Sequence, residues 1–78
     1  MHAKELVRGG LVGGASFDII GDDGQTKIGR VDLVKLPSGR VIWDKFDAHD
    51  EFLAEDELTD GERGRPEREI VEGIWRTG

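Results

Sequence analysis

The sequence predicts an α+β fold in which a three-stranded antiparallel β-meander precedes an acidic helix and a C-terminal helix. Three runs rich in β-branched and aromatic residues are separated by short turn-forming segments, which is typical of a meander. A stretch of acidic residues with helix-capping chemistry follows, and then an apolar run that begins with proline. Seventy-eight residues without cysteine fit a single domain, 1–78, that depends on apolar packing and contains no disulfide.

The first predicted strand, residues 16–21, is followed by the turn sequence DDGQ, in which Gly24 is able to adopt a positive φ. The second predicted strand, residues 26–36, alternates apolar and polar side chains over much of its length. Pro37 suits the second position of a tight turn, and the third predicted strand covers residues 40–46.

Residues 1–14 are predicted to form a mobile lead-in, because two glycine pairs oppose helix formation. The motif GGLVGGAS has the glycine content of a phosphate-binding loop, but Ala15 occupies the position where such a loop needs a lysine. We therefore predict no phosphate site there.

Residues 48–59 are predicted to form a helix. Asp47 suits the N-cap, and Asp50 three residues later imitates a capping box. Gly61 suits the C-terminal end of this helix. The apolar stripe of such a helix is narrow, so most of its carboxylates are expected to face solvent.

Residues 66–76 are predicted to form the second helix, with Pro66 at its first position and Ile70 and Ile74 on its apolar face. The alternative is a fourth strand over residues 69–75, because this segment contains a central glycine and several β-formers.

The negative charge is concentrated in one segment. The whole chain carries −6, whereas residues 44–62 contain nine acids and one base, a net −8. We interpret this segment as a docking surface for a protein partner with a basic surface, such as a groove that holds nucleic acid. The candidate partner-binding residues are Asp47, Asp50, Glu51, Glu55, Asp56, Glu57, Asp60 and Glu62.

In its size, acidity and compactness the chain resembles the small acidic inhibitors that phages and other mobile elements encode. That resemblance implies an inhibitor that acts as a nucleic-acid mimic, and it is compositional, since no family motif accompanies it. One alternative is that the carboxylates only keep the protein soluble. Another is an accessory subunit or homodimer that assembles through the sheet, with Trp43 and Trp75 as interface anchors.

Other functions are not predicted. The chain has no cysteine or tyrosine and little volume for a pocket, so we expect no enzyme, no catalytic residue and no cofactor. His49 lies among carboxylates without a second nearby histidine, and Leu58 occupies a ligand position in a calcium-loop alignment that starts at Asp56, so we expect no metal site. Direct nucleic-acid binding is not expected because the acidic segment repels phosphate. The absence of a long apolar run predicts no membrane span, and the lack of a recognisable targeting segment predicts a cytoplasmic protein.

Overall fold

Five antiparallel strands, paired in chain order, form the sheet in the computed structural model, which describes residues 1–6 and 14–77. The strands are β1 (His2–Leu6), β2 (Gly14–Ile20), β3 (Lys27–Lys35), β4 (Val41–Asp47) and β5 (Phe52–Glu57). Two helices follow, the short α1 (Asp60–Arg63) and the longer α2 (Glu67–Arg76). The predicted α+β class is confirmed, but the sheet has five strands where the sequence predicted three.

The three predicted strands correspond to β2, β3 and β4, and the turns between them form as their chemistry requires. Gly24 and Gly39 have positive φ angles of 74° and 89°. In the β2–β3 turn, the Asp23 carboxylate accepts hydrogen bonds from the backbone N–H groups of Gln25 and Thr26, at 2.9 and 2.8 Å. This side-chain cap fixes the turn between β2 and β3.

The prediction of a helix over residues 48–59 is wrong, because this segment forms a turn and then β5. The Asp47 carboxylate accepts hydrogen bonds from the N–H groups of His49 and Glu51, at 2.8 and 3.0 Å. Asp50 has a positive φ of 63°, which is incompatible with a right-handed helix. The capping ability of Asp47 is therefore used to close a hairpin turn.

Strand β5 pairs with β4, with a register irregularity beside Phe46. The rings of Phe46 and Phe52 meet edge to face, with centroids 6.2 Å apart. After β5, the buried Leu58 donates its N–H to the carbonyl of Val41 at 2.9 Å. Backbone pairing with β4 outweighs the weak helical preference of an acidic segment that has only a narrow apolar stripe.

The N-terminal segment also differs from its prediction. Residues 1–14 were expected to be a mobile lead-in, but His2–Leu6 forms the edge strand β1 and pairs with β2. Ala3 is fully buried, and its N–H donates to the Glu72 carboxylate of α2 at 3.1 Å. Residues 7–13 lie outside the described residues.

Helix α2 confirms the predicted C-terminal helix over 66–76 and excludes the alternative strand over 69–75. It packs against β1, β2 and β3. Its buried side chains join those of the sheet in one core, whose most buried members include Ala3, Phe17, Ile19, Val31, Ile70, Val71 and Ile74. We call this side of the sheet the covered face.

Gly29 in β3 lets α2 approach the sheet closely. A Cβ atom at this position would lie 2.1 Å from the Trp75 ring and 2.9 Å from the Phe46 carbonyl oxygen. The absence of a side chain at Gly29 therefore creates the space into which Trp75 packs.

Candidate functional site: the acidic edge of the sheet

The strand register places carboxylates in a row on the sheet face opposite α2, which we call the open face. Asp32 of β3 pairs with Asp44 of β4, and Asp44 pairs with Glu55 of β5. Neighbouring strands are about 4.8 Å apart, and like charges directly opposite each other destabilise a sheet. This row therefore has a cost in folding free energy.

Only the inner end of this row is compensated within the described part of the chain. The Ser16 hydroxyl donates to the Asp32 carboxylate at 2.6 Å, and Arg30 Nε lies 3.3 Å from the same carboxylate. Among residues 1–6 and 14–77, no Lys or Arg forms an ion pair with Asp44 or Glu55. The negative charge of the row consequently increases toward β5.

Strand β5 is an edge of the sheet and exposes apolar side chains beside its carboxylates. Phe52 and Leu53 are 58% and 51% exposed. Glu51, Glu55 and Asp56 are exposed and form no ion pair with any described Lys or Arg. We define the acidic edge as four carboxylates and two apolar side chains: Asp44, Glu51, Glu55, Asp56, Phe52 and Leu53.

Asp50, a predicted site residue, is neutralised by the protein itself. Its carboxylate lies 2.9 Å from Lys27 Nζ and 3.0 Å from Arg30 Nη1. The hydrogen bond to Asp50 raises the pKa of Lys27. Arg30 also lies over the Phe46 ring, 4.1 Å from its centroid. These contacts hold the β4–β5 turn against β3, so Asp50 has a structural role.

Glu57 and Asp60 are also paired with arginines. Arg40 binds both carboxylate oxygens of Glu57, with Nη2 3.0 Å from Oε2 and Nε bonded to Oε1. This hydrogen bonding lowers the pKa of Glu57. Arg63 forms an ion pair with Asp60 within α1. These two carboxylates therefore add little negative charge for a partner.

Asp47 and Glu62 cap local backbone. Asp47 closes the β4–β5 turn, and Glu62 forms a capping box with Thr59 at the start of α1. The Glu62 carboxylate accepts from the Thr59 N–H at 2.9 Å and from its hydroxyl at 2.8 Å. The backbone hydrogen bond, followed by the hydroxyl, lowers the pKa of Glu62.

The eight predicted site residues therefore separate by environment. Glu51, Glu55 and Asp56 belong to the acidic edge and form no ion pair with a described Lys or Arg, although the Asp56 carboxylate accepts a hydrogen bond from the Glu57 N–H at 2.7 Å. The other five pair with cations, cap turns or cap a helix of the same chain. Asp44 lies in the acidic segment 44–62 but is not among the eight predicted site residues. The signal that identifies Asp44 is strand register, because only register shows that it lies opposite Glu55.

The two predicted interface anchors are packed against the core. Trp43 and Trp75 are both partly buried against it. Trp75 is further enclosed by Lys45, whose Nζ lies 5.0 Å from the indole ring and 3.2 Å from the Trp75 carbonyl oxygen. Among described residues, the large apolar side chains that are most exposed are instead Phe52 and Leu53.

Within 1–6 and 14–77, no group of three or more His, Asp or Glu side chains is arranged to hold a metal ion. His49 is exposed in the β4–β5 turn. Neither described helix has the length and apolar character needed to cross a membrane.

Comparison of the chain with protein-family models, curated proteins and solved structures finds no match. The interpretation of the acidic edge therefore depends on its own geometry and charge.

Proposed function

We propose that the protein is a small binding module that docks a protein partner with a basic surface onto its acidic edge. The observation that supports this proposal is that Asp44, Glu51, Glu55 and Asp56 have no ion-pair partner among the described residues, although most neighbouring carboxylates do. The exposed side chains of Phe52 and Leu53 lie on the same edge strand as Glu55 and Asp56. An interface of this kind combines an apolar contact with charge complementarity.

Repulsion between the carboxylates of the acidic edge favours the binding of cations there. The repulsion between Asp44 and Glu55 destabilises the free protein, and a Lys or Arg placed between them removes that repulsion. A basic partner is also steered toward the concentrated negative charge, so its association is fast and sensitive to salt. The screening length falls from about 30 Å at 0.01 M salt to about 8 Å at 0.15 M, which makes the effect measurable.

The partner class that we favour is a nucleic-acid-handling protein, whose basic groove the carboxylates enter in place of phosphates. The support for this choice is the charge of the chain, −6 in 78 residues, together with its resemblance in size and acidity to inhibitors from phages and other mobile elements. A groove that binds a phosphate backbone is rich in Lys and Arg, which matches the acidic edge. On this proposal the protein is an inhibitor and not an enzyme.

Capture from a cell lysate tests the proposal with three immobilised baits. They are the wild type, the double variant Glu55→Lys/Asp56→Lys, and the control Glu5→Lys/Glu69→Lys. Both variants change the net charge equally, and Glu5 and Glu69 are exposed residues outside the acidic edge. We expect the wild type and the control to capture the same nucleic-acid-binding protein, and the Glu55→Lys/Asp56→Lys bait to lose it.

The captured protein should be released by added duplex DNA or RNA, because the proposal requires competition for one groove, and by raised salt. Equal capture by all three baits contradicts a role for the acidic edge. Capture that nucleic acid does not displace contradicts mimicry and leaves ordinary protein binding. An oligomer of the protein alone that persists at high salt favours the accessory-subunit or homodimer alternative.

A further inference from the structure

A cavity of about 410 Å³ lies on the covered face, at the end of the sheet remote from the β4–β5 turn. The volume is within the range of roughly 300–1,000 Å³ typical of small-molecule sites. Its described walls come from the start of β2, the end of β3, the start of β4 and the segment from Leu58 to α2. None of the six acidic-edge residues is among the described residues that line the cavity, so a site there does not depend on the proposed function.

The inner wall of this cavity is aliphatic. It is formed by Ala15, Leu33, Val41, Leu58 and Ile70. Leu33, Leu58 and Ile70 are among the buried core residues, so the wall is part of the packed interior. An apolar molecule that enters the cavity removes this surface from water, which favours its binding.

The rim of the cavity is cationic, in contrast to the acidic chain as a whole. Lys35, Arg63 and Arg65 line it together with one carboxylate, Glu67. Arg63 is engaged by Asp60. Lys35 and Arg65 form no ion pair with any residue of the described ranges, although Arg65 is near enough to Glu62 to contribute to its lowered pKa.

From this arrangement we propose that the cavity binds a small amphipathic anion, a molecule with an aliphatic body and one carboxylate, sulfonate or phosphate group. The aliphatic body contacts Leu33, Val41 and Ile70, and the anionic group lies at the rim between Lys35 and Arg65. Charge-assisted hydrogen bonds are the strong ones, so the two cations select an anion over a neutral molecule of the same shape.

The test is a titration of the isotope-labelled protein with decanoate, followed by NMR, and a parallel titration with decanol. We expect saturable shifts of the amide signals of Leu33, Val41 and Ile70 with decanoate, and about tenfold weaker binding of decanol, because the neutral molecule lacks the charge-assisted contacts. Shifts that avoid these residues overturn the proposal. Equal affinities for decanoate and decanol overturn the role of the cationic rim.

Two matched variants distinguish the effect of the rim cations from the effect of the overall charge of the protein. Lys35→Gln/Arg65→Gln should weaken decanoate binding by about tenfold. Arg68→Gln/Arg76→Gln, which removes two cations that do not line the cavity, should bind as the wild type does. Equal loss in both variants contradicts the proposal. The Glu55→Lys/Asp56→Lys variant should retain decanoate binding, so failure of the acidic-edge proposal is distinguishable from failure of this one.

Discussion

The half of the sheet under α2 and the half formed by β4 and β5 are stabilised differently. In the covered half, Ile19, Val31 and Val71 are fully buried and join the helix to the sheet. In β5, Phe52 and Leu53 are largely exposed, and the strand is held by its backbone pairing with β4. The difference indicates that side chains in the covered half are committed to folding, whereas those of the acidic edge remain available for a partner.

The largest effect that separates the two halves is expected from truncation of an apolar side chain. Ile19→Ala removes a fully buried side chain and should lower the free energy of unfolding by about 3 kcal/mol. Leu53→Ala, at the acidic edge, should change it by less than about 0.5 kcal/mol. Urea unfolding measures both. If Ile19→Ala leaves the chain unfolded, Ile19→Val should still show a loss of about 1 kcal/mol. Equal losses for Ile19→Val and Leu53→Ala contradict the distinction.

A second pair of variants tests how closely α2 approaches the sheet. Gly29→Ala places a Cβ atom against the Trp75 ring and should destabilise the protein by about 2 kcal/mol. Gly73→Ala lies in α2, where the added Cβ would meet no atom within 4 Å outside its chain neighbours and the backbone of its own helix, and should stabilise the protein by about 1 kcal/mol through helix propensity. Thermal unfolding distinguishes the two signs. A stabilising Gly29→Ala would show that Trp75 does not pack there.

Low pH should destabilise the β2–β3 turn, because the Asp23 carboxylate becomes protonated. The Thr26 hydroxyl, followed by the backbone N–H groups of Thr26 and Gln25, lowers the pKa of Asp23 from 3.8 to about 2. Because the folded pKa is the lower one, this stabilisation is fully present above pH 3.8 and is lost as the pH falls through about 2. Unfolding by urea between those two pH values should show a smaller loss in Asp23→Asn than in the wild type. Identical pH profiles contradict the role of Asp23.

The smallest effect on stability is expected at the acidic edge itself. In Glu55→Lys/Asp56→Lys, the change at Glu55 removes its repulsion with Asp44, and both replaced side chains are exposed, so the free energy of unfolding should change by less than about 0.5 kcal/mol. Loss of partner binding by this variant is then not a folding defect. A loss of several kcal/mol would show that these side chains are structural.

Much of the meander could be predicted because its signals are local. Gly24 and Gly39 mark turns, β-branched residues mark β3, and the apolar spacing of Ile70 and Ile74 marks α2. Strand β1 could not be predicted, since HAKEL contains no β-branched residue and forms a strand only through its pairing with β2. Strand pairing is a tertiary interaction that overrides weak local preference.

The wrong prediction of a helix over residues 48–59 has a specific cause. Asp47 caps backbone N–H groups, as predicted, but an aspartate cap serves a hairpin turn as well as a helix. The positive φ of Asp50 then directs the chain back along β4. The candidate site could be predicted only in part. Composition shows where the acidic residues are concentrated, but only the fold shows which of their carboxylates form ion pairs within the protein.

One measurement tests the acidic edge most directly, namely an NMR titration of the isotope-labelled protein with decalysine at low salt. We expect amide shifts concentrated at Asp44, Glu51 and β5 (Phe52–Glu57), which disappear when salt is raised. Shifts spread evenly over all exposed carboxylates, including Asp22, Glu67 and Glu69, would contradict this expectation, because they would show attraction by overall charge and no docking surface.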